Sequence, residues 1–119
     1  KAKIKKKSFI KLWGTGKPKR ELIYVDDLAD ACIFFLKKKT KETLINIGSG
    51  KDKTINEYAK FIMKELKVDL DLVYEIKKPD GTPRKVLDVS VAKKYGWRPK
   101  IDLKDGFSKV IKSYLKKYE

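Results

Sequence analysis

The segment TLINIGSGKDKTINEYAKFIMKEL, residues 43–66, places a strand-like run directly before a helix-like run. Its first half, TLINIGSG, is apolar and ends in glycines, which is typical of a buried strand. In its second half Glu57 follows Thr54 by three residues, the pattern of a capping box. The next apolar residues repeat at helical spacing: Ile55, Tyr58, Ala59, Ile62, Met63 and Leu66. The segment therefore predicts a strand followed by an amphipathic helix.

The residues before this segment show the same alternation. SFIKLW (8–13) predicts a short strand closed by a turn at GTGKP (14–18), and ELIYV (21–25) predicts a second extended stretch. Asp26 or Asp27 then suits the N-cap of a helix. The apolar face of that helix holds Leu28, Ala31, Cys32, Phe35 and Leu36. We interpret Cys32 as a small core residue on that face.

The residues after it continue the pattern. LDLVYEI (70–76) predicts a strand, VLDV (86–89) is short and extended, and SVAKKYG (90–96) predicts one or two helical turns that stop at Gly96. A last amphipathic helix begins at about residue 103, with its apolar face at Leu103, Phe107, Val110, Ile111, Tyr114, Leu115 and Tyr118. Strands alternating with helices predict an α/β domain of four or five short strands and about three main helices.

Length and hydropathy limit the class of protein. A chain of 119 residues builds one core, so we expect a single domain over residues 1–119. No apolar run approaches the roughly 20 residues that a membrane span requires, so we expect a soluble chain without a membrane partner. Because the chain opens on KAKIKKK without a methionine, we expect a fragment of a longer protein.

The formal net charge of +15 raises the question of nucleic-acid binding. Only three of the 31 basic residues are arginines, and the lysines are scattered along every segment. Proteins that read phosphates and bases usually use arginine for its bidentate fork. We therefore interpret most lysines as surface residues of a lysine-biased organism and do not expect a nucleic-acid partner. A lysine-rich nucleic-acid-binding module is kept as an alternative.

Several kinds of chemistry are excluded by composition. Histidine is absent and Cys32 is the single cysteine, which excludes disulfides within the chain, Cys/His zinc sites and histidine acid–base catalysis. A reducing, cytoplasmic location fits this usage. Neither GTGKPK nor GSGKDKT has the spacing of a dinucleotide or phosphate-binding loop. We predict no catalytic, cofactor-binding or metal-binding residue in this chain.

The turn WGTGKPKRE, residues 13–21, is the first candidate for ligand binding. Trp13 stands just before the glycine turn and Arg20 just after it, so an indole face and a guanidinium can converge on one opening. A planar ring would rest on the indole, and a phosphate would pair with the guanidinium. The alternative is that Trp13 belongs to the core and that Arg20 pairs with Glu21 or an aspartate.

The loop PDGTPRK, residues 79–85, is the second candidate. Asp80 is an acceptor suited to a ribose or sugar hydroxyl, and Arg84 and Lys85 suit a pyrophosphate. An aromatic ring, cations and a carboxylate together describe a nucleotide-sugar site better than a surface for duplex DNA. The loop and the turn together predict that site.

At these residues the chain resembles a known family. The blocks WGTGKPKRELIYVDDLADACIFFL, INIGSGKDKTINEYAKFI, KPDGTPRKVLDVS and GWRPKIDLKDGF are similar, in order and spacing, to the C-terminal part of the GDP-L-fucose synthases. These epimerase/reductases belong to the extended short-chain dehydrogenase/reductases. The similarity runs from about Lys11 to Tyr118. KPDGTPRK followed by LDVS is characteristic of this branch, whereas VDDLA is shared with many sugar-nucleotide epimerases.

The resemblance implies a two-domain enzyme that forms a homodimer. Its N-terminal Rossmann domain binds NADP(H), and its C-terminal domain, with a small mixed sheet, binds the GDP-sugar. The family converts GDP-4-keto-6-deoxy-D-mannose to GDP-L-fucose by 3,5-epimerisation and NADPH-dependent reduction. This chain then corresponds to the substrate-binding domain without its Rossmann partner. By itself it is expected to bind no cofactor and to be inactive.

The resemblance also suggests roles for single residues. Trp13, Arg20 and Asp80 match family residues that contact the GDP-sugar, and Lys85 matches a nearby basic position. The catalytic residues of the family belong to sequence upstream of this chain, so Cys32 is not the catalytic cysteine. The equivalent domain of another nucleotide-sugar epimerase or dehydratase is the alternative within the same class.

Overall fold

A computed structural model describes residues 8–118, and the side chains of residues 8–117. Over residues 8–118 it contains five short strands: β1 Phe9–Trp13, β2 Lys19–Glu21, β3 Asp52–Thr54, β4 Asp71–Glu75 and β5 Arg84–Lys85. The same residues form three main helices and one short helix: α1 Val25–Lys37, α2 Ile55–Glu65, α3 Ser90–Lys94 and α4 Leu103–Tyr118. The predicted α/β class, with about three main helices and up to five short strands, is confirmed.

The described residues divide into two compact units. The first consists of residues 8–20 and 52–85, and the second of residues 21–51 and 86–118. Each unit is formed by two stretches that lie far apart in sequence. The single domain over residues 1–119 stays a prediction. None of the helices among residues 8–118 has the length and apolar character needed to cross a membrane.

The strands of the first unit form two small sheets. β1 and β4 pair in parallel, from Phe9 opposite Asp71 to Trp13 opposite Glu75. These two strands confirm the predictions made from SFIKLW and LDLVYEI. A second sheet has the order β3-β2-β5, and β2 and β5 are parallel with Arg20 opposite Lys85. The turn at residues 14–18 and the loop at residues 79–83 therefore each connect one sheet to the other.

Helix α2 begins with the predicted capping box. The backbone N–H of Glu57 donates to Thr54 Oγ1 at 3.0 Å, and the backbone N–H of Thr54 donates to Glu57 Oε2 at 2.8 Å. The bonds from Thr54 hold the pKa of Glu57 below its ordinary value, because they favour the charged carboxylate. Tyr58 is buried, and its hydroxyl donates to the Arg20 carbonyl at 2.9 Å. The helix is thereby tied to strand β2.

Helix α1, in the second unit, does not begin as predicted. Tyr24 occupies the N-cap position and no side chain caps the helix, so neither Asp26 nor Asp27 has the predicted role. Asp27 is buried instead, and its carboxylate accepts hydrogen bonds from the backbone N–H groups of Lys100 and Ile101, each at 3.0 Å. The carboxylate satisfies donors of the segment before α4 rather than those of its own helix.

The core of the second unit lies between α1 and the α3 region. Its buried members are Ala31, Ala92 and Trp97, and the partly buried residues packed against them are Ile23, Phe34, Phe35, Ile45 and Ile47. The indole N–H of Trp97 donates to Asp30 Oδ2 at 3.0 Å. Lys100 and then Trp97 lower the pKa of Asp30 by donating to its carboxylate. The one polar group of the buried Trp97 side chain thus has a hydrogen-bond partner.

The predicted apolar face of α1 is only partly correct. Ala31 is buried and Phe35 packs on the core, as predicted. Cys32 is exposed, so its interpretation as a core residue is wrong, and Leu36 is 86% exposed. Apolar residues also stand elsewhere around this helix, including Val25, Ile33 and Phe34. Because apolar residues cover so much of the helix, spacing alone did not identify the side that packs.

Three predicted extended stretches are not strands among the described residues. TLINIGSG is irregular, ELIYV contributes only Glu21 to β2 before α1 begins at Val25, and VLDV follows β5 without pairing. Side chains take the place of a neighbouring strand here. Glu21 Oε2 accepts from the backbone N–H of Leu87 at 2.8 Å, and Asn46 donates to the Asp88 carbonyl at 3.2 Å. These two hydrogen bonds satisfy the Leu87 N–H and the Asp88 carbonyl without a sheet.

The last two helices follow the prediction. Gly96 ends α3 with a φ of +95°, a conformation that glycine adopts without strain. Helix α4 begins at Leu103, as predicted. The predicted apolar position Tyr118 lies outside the described side chains.

Candidate functional site

The turn after β1 contacts the loop before β5. The backbone N–H of Thr15 donates to Asp80 Oδ1 at 2.6 Å, and its hydroxyl donates to Asp80 Oδ2 at 2.7 Å. Gly14 has a φ of +71°, and a Cβ at this position would overlap the Asp80 carboxylate. Only glycine therefore allows this approach. The structure thus brings together the two segments that the sequence identified as candidates.

The other end of the loop is attached to β2. Arg20 Nη1 donates to the Thr82 carbonyl at 2.7 Å and to the Lys19 carbonyl at 2.6 Å. The backbone N–H of Lys19 donates to the Pro83 carbonyl at 2.8 Å. Arg20 and Lys85 are register partners on β2 and β5. The PDGTPRK loop is therefore held at both ends. The predicted site residues Arg20 and Lys85 lie on adjacent strands.

Trp13 is a surface residue. Its side chain is 69% exposed, and Lys78 Nζ lies 5.2 Å from the ring centroid, a cation–π contact. The alternative that placed Trp13 in the core is wrong. Trp13 is the last residue of β1, and Gly14 donates its backbone N–H to the Glu75 carbonyl at 3.1 Å. The indole is thus presented next to the turn that contacts Asp80.

Arg20 does not pair with Glu21. The Arg20 hydrogen bonds described above go to backbone carbonyls, and the Glu21 carboxylate accepts from the backbone N–H groups of Gly50 at 2.5 Å and Leu87 at 2.8 Å. A guanidinium has five N–H donors, so donors remain on Nε and Nη2 of Arg20. The guanidinium of Arg20 is therefore fixed through Nη1 and can donate to a ligand through Nε and Nη2.

Arg84 and Lys85 have different surroundings. Arg84 Nε donates to Asp52 Oδ2 at 2.5 Å, and Nη2 donates to Oδ1 at 3.3 Å. These bonds lower the pKa of Asp52 and raise that of Arg84, because each stabilises the charged form of its partner. Among residues 8–117, Lys85 forms no ion pair. Of the two cations that suit a pyrophosphate, Lys85 is the one that is available.

Asp80 is ionised at neutral pH. The Thr15 backbone N–H, and then the Thr15 hydroxyl, hold its pKa below the ordinary value. A carboxylate has about four acceptor positions, and Thr15 occupies two of them. The side chain is also exposed. Asp80 therefore keeps the capacity to accept a hydroxyl hydrogen bond from a ligand.

The two glycine segments do not fit a dinucleotide phosphate. The GTGKP turn leads into strand β2, and the first N–H groups of α2, those of Ile55 and Asn56, donate to the Pro18 and Gly16 carbonyls of the turn, so they are not free to bind an anion. In the GSGKDKT segment the Glu21 carboxylate accepts the Gly50 N–H, and a Cβ at Gly48 would meet the same carboxylate. A negative side chain thus occupies the position that a phosphate would need. Among residues 8–117, no group of three or more Cys, Asp or Glu side chains is placed to hold a metal ion.

Tyr24 lies in the second unit, against α4. Lys109 Nζ is 5.1 Å from its ring centroid, and a Cβ at Gly106 would stand 3.4 Å from its Cδ2 atom. Its ring therefore packs on helix α4. Thr15 was not predicted as a site residue, because nothing in the sequence links a threonine to an aspartate 65 positions away.

The chain is similar to a protein family and to a curated protein. The model of the NAD dependent epimerase/dehydratase family matches residues 1–48. The chain is 44% identical over 115 residues to "GDP-L-fucose synthase 1" of Arabidopsis thaliana, which covers 97% of this chain and 36% of that protein. The chain thus spans about a third of the length of this curated relative.

Solved structures share the fold. A GDP-6-OMe-4-keto-L-xylo-heptose reductase from C. jejuni matches with a TM-score of 0.80 and 34% identity, over 92% of this chain and 34% of that one. A UDP-glucose 4-epimerase from Thermotoga maritima matches with a TM-score of 0.84 and 28% identity, over 93% of this chain and 36% of that one. The chain is therefore similar to part of enzymes that act on nucleotide sugars.

Proposed function

We propose that the chain belongs to the NAD dependent epimerase/dehydratase family, whose model matches residues 1–48, and that it is the GDP-sugar-binding domain, residues 1–119, of a GDP-L-fucose synthase. The parent enzyme converts GDP-4-keto-6-deoxy-D-mannose to GDP-L-fucose by 3,5-epimerisation and reduction with NADPH. The proposal is supported by the 44% identity to the Arabidopsis GDP-L-fucose synthase and by the similarity to a GDP-heptose reductase. This chain contributes substrate binding and no catalytic residue.

The observation that carries the proposal is the pairing of Arg20 with Lys85. The two residues are register partners on neighbouring strands, so two positive charges stand side by side. Like charges in this arrangement repel each other, and an anion between them removes that cost. The Arg20 fork is already ordered by its bonds to the Thr82 and Lys19 carbonyls, so it loses little entropy on binding. The pair suits the pyrophosphate of a nucleoside diphosphate.

The other two site residues complete the recognition of a GDP-sugar. The exposed indole of Trp13 provides a flat apolar surface for the nucleotide or the sugar. The ionised carboxylate of Asp80 accepts a hydrogen bond from a ribose or sugar hydroxyl. Pro79 and Pro83 fix the φ angles at the two ends of the loop, which reduces the ordering that binding requires.

The remaining parts of the reaction belong to the rest of the parent enzyme. The chain spans about a third of its curated relatives, and its own glycine segments do not fit a dinucleotide phosphate. We assign NADP(H) binding and catalysis to an N-terminal Rossmann domain, in a cytoplasmic homodimer. The isolated chain is expected to bind the nucleotide and to be inactive.

A second candidate is the equivalent domain of an enzyme that acts on a UDP-sugar. The similarity to a UDP-glucose 4-epimerase, with a TM-score of 0.84, favours it. A pyrophosphate site and an aromatic surface suit either nucleotide. The two candidates therefore differ in which base the chain prefers, guanine or uracil. A preference of the chain for UDP over GDP would support the second candidate.

The test is a titration of the isotopically labelled chain with GDP and then UDP, followed through backbone amide shifts. We expect saturable shifts confined to Trp13, Arg20 and residues 80–85, with tighter binding of GDP. A well-dispersed spectrum without localised shifts would contradict the proposal. Diffuse shifts at lysines throughout the chain, with affinity for duplex DNA that falls steeply with salt, would support the nucleic-acid alternative instead.

A matched pair of arginine variants sharpens the test. Arg20→Ala is expected to weaken GDP binding by about 1.5–3 kcal/mol, because it removes a charged hydrogen-bond donor from the pyrophosphate. Arg98→Ala serves as the control, since Arg98 is an exposed arginine that belongs to neither the turn at residues 13–21 nor the loop at residues 79–85. Equal GDP affinity of the two variants would contradict the role of Arg20.

A further inference from the structure

Thr15 lies in a turn whose backbone is fixed on both sides. Its neighbours Gly14 and Gly16 have φ angles of +71° and +72°, which glycine adopts without strain. A Cβ at Gly16 would stand 2.8 Å from a ring carbon of Tyr74, and the Gly16 carbonyl accepts the Asn56 N–H at 3.0 Å. The turn therefore presents Thr15 in one defined position.

Thr15 contacts both oxygens of the Asp80 carboxylate. Its N–H bonds Oδ1 at 2.6 Å and its hydroxyl bonds Oδ2 at 2.7 Å. Two donors, one on each oxygen, fix the plane of the carboxylate as well as the position of the side chain. The hydroxyl oxygen also accepts the Lys17 N–H at 3.3 Å, which orients its proton towards Asp80. The carboxylate is exposed, so without these bonds it would rotate freely.

We infer that Thr15 is a positioning residue for the GDP-sugar site, acting through Asp80, an inference that rests on the proposed function. Thr15 orients the Asp80 carboxylate so that its free acceptor positions are in place before the ligand arrives. Preorganisation of this kind increases affinity by reducing the entropy lost on binding. The same two bonds hold the turn that carries Trp13 against the loop that carries Lys85. Thr15 therefore couples the aromatic and cationic parts of the site.

The test compares Thr15→Val with Thr15→Ser in GDP-mannose titrations of the 119-residue chain. Thr15→Val removes the hydroxyl at nearly constant volume, and we expect affinity to fall roughly fivefold to tenfold, as for the loss of one hydrogen bond. Thr15→Ser keeps the hydroxyl and is expected to stay within about twofold of wild type. Wild-type affinity in Thr15→Val would overturn the inference.

A double-mutant cycle shows whether Thr15 acts through Asp80. In an Asp80→Ala background Thr15→Val should have no further effect on GDP-mannose affinity, because the contact that it disrupts is already gone. A full additional loss in that background would overturn the inference, since Thr15 would then act independently of Asp80.

A measurement without ligand checks the contact itself. The side-chain carboxyl ¹³C shift of Asp80, followed against pH, should titrate below the ordinary pKa in wild type and in Thr15→Ser. In Thr15→Val its pKa should rise towards the ordinary value. An ordinary pKa in wild type would overturn the inference. Failure of wild type to bind any GDP compound would contradict the proposed function and, with it, this inference, whereas unchanged binding in Thr15→Val overturns the inference alone.

Discussion

Arg84 donates two hydrogen bonds to the carboxylate of Asp52, from Nε at 2.5 Å and from Nη2 at 3.3 Å. The pair joins β5 to the first residue of β3, on the two outer strands of the β3-β2-β5 sheet. The next residue, Lys85, has no such partner among the described residues and stands opposite Arg20. Two adjacent cations thus have different roles, one in the sheet and one at the proposed site.

Alanine variants of these two cations should separate the roles. Arg84→Ala is expected to lower the thermal unfolding midpoint and to leave GDP affinity close to wild type, because it disrupts a contact between strands. Lys85→Ala should change the free energy of unfolding by less than about 0.5 kcal/mol and weaken GDP binding. Circular dichroism melting and GDP titration measure both effects. A larger loss of GDP affinity in Arg84→Ala than in Lys85→Ala would contradict the assignment.

The two aspartates at the start of α1 should differ in their effect on stability. Asp27 is 2% exposed and accepts two backbone hydrogen bonds, whereas Asp26 is exposed. Asp27→Asn should lower the free energy of unfolding by about 1.5–3 kcal/mol, because an amide nitrogen cannot accept the second bond. Asp26→Asn is the matched control and should change it by less than about 0.5 kcal/mol. Equal urea midpoints for the two variants would rule out the predicted difference.

The two tryptophans should give separate fluorescence signals. Trp13 is 69% exposed and Trp97 is 3% exposed. In Trp97→Phe the remaining Trp13 should emit at long wavelength, be quenched by acrylamide, and respond to GDP. In Trp13→Phe the emission of Trp97 should be blue-shifted and insensitive to GDP. A GDP response in Trp13→Phe that is absent from Trp97→Phe would contradict the placement of the ligand next to Trp13.

Cys32 should react with thiol reagents in the folded chain. It is exposed on α1, so access of the reagent does not require unfolding. We expect one thiol to be titrated by 5,5′-dithiobis(2-nitrobenzoate) without denaturant, at a rate comparable to that in urea. Protection in buffer followed by reaction in urea would show that the thiol is buried after all. The measurement therefore tests whether Cys32 lies outside the core.

Stability should fall in acid. The pKa values of several carboxylates lie below their ordinary values because hydrogen bonds favour their charged forms: Asp30, Asp52, Glu57, Asp80 and Asp88. A lowered folded-state pKa contributes stability above the unfolded-state pKa of about 4, and this contribution is lost as the pH falls through the folded-state values. Urea unfolding at pH 6 and pH 3 measures the difference. Equal free energies at the two pH values would contradict the bonds described here.

The acid effect has an internal control. In Asp52→Asn the residue at this position no longer titrates, so the decrease in stability between pH 6 and pH 3 should become smaller than in wild type. A decrease in Asp52→Asn that equals the decrease in wild type would contradict the contribution of the Arg84–Asp52 bonds.

Local signals in the sequence predicted the elements that are stabilised by their own residues. The capping box of Thr54 and Glu57 identified the start of α2, because both partners lie within one helical turn. Gly96 marked the end of α3 through its left-handed backbone conformation. The alternation in residues 70–76 identified β4 for the same reason, since the period of a strand is a property of the strand itself.

Contacts between distant residues were decided only by the tertiary structure. TLINIGSG has the apolar character of a strand, yet it does not pair with a neighbouring strand. Its Asn46 side chain donates a hydrogen bond to the Asp88 carbonyl instead. Cys32 stands at core spacing, yet the helix packs through Ala31. A sequence shows which residues are apolar, but the side of a helix that becomes buried depends on which other segments of the chain pack against it.

The candidate site divides in the same way. The sequence by itself determined the chemical groups, since an indole, a guanidinium, a carboxylate and an ammonium at Trp13, Arg20, Asp80 and Lys85 are properties of the residues. Only the tertiary structure decided that Arg84 pairs with Asp52, that Lys85 stands opposite Arg20, and that Thr15 contacts Asp80 across 65 positions. The physical reason is that hydrogen bonds and charge pairs act over a few ångströms, and chain folding alone sets which residues come that close.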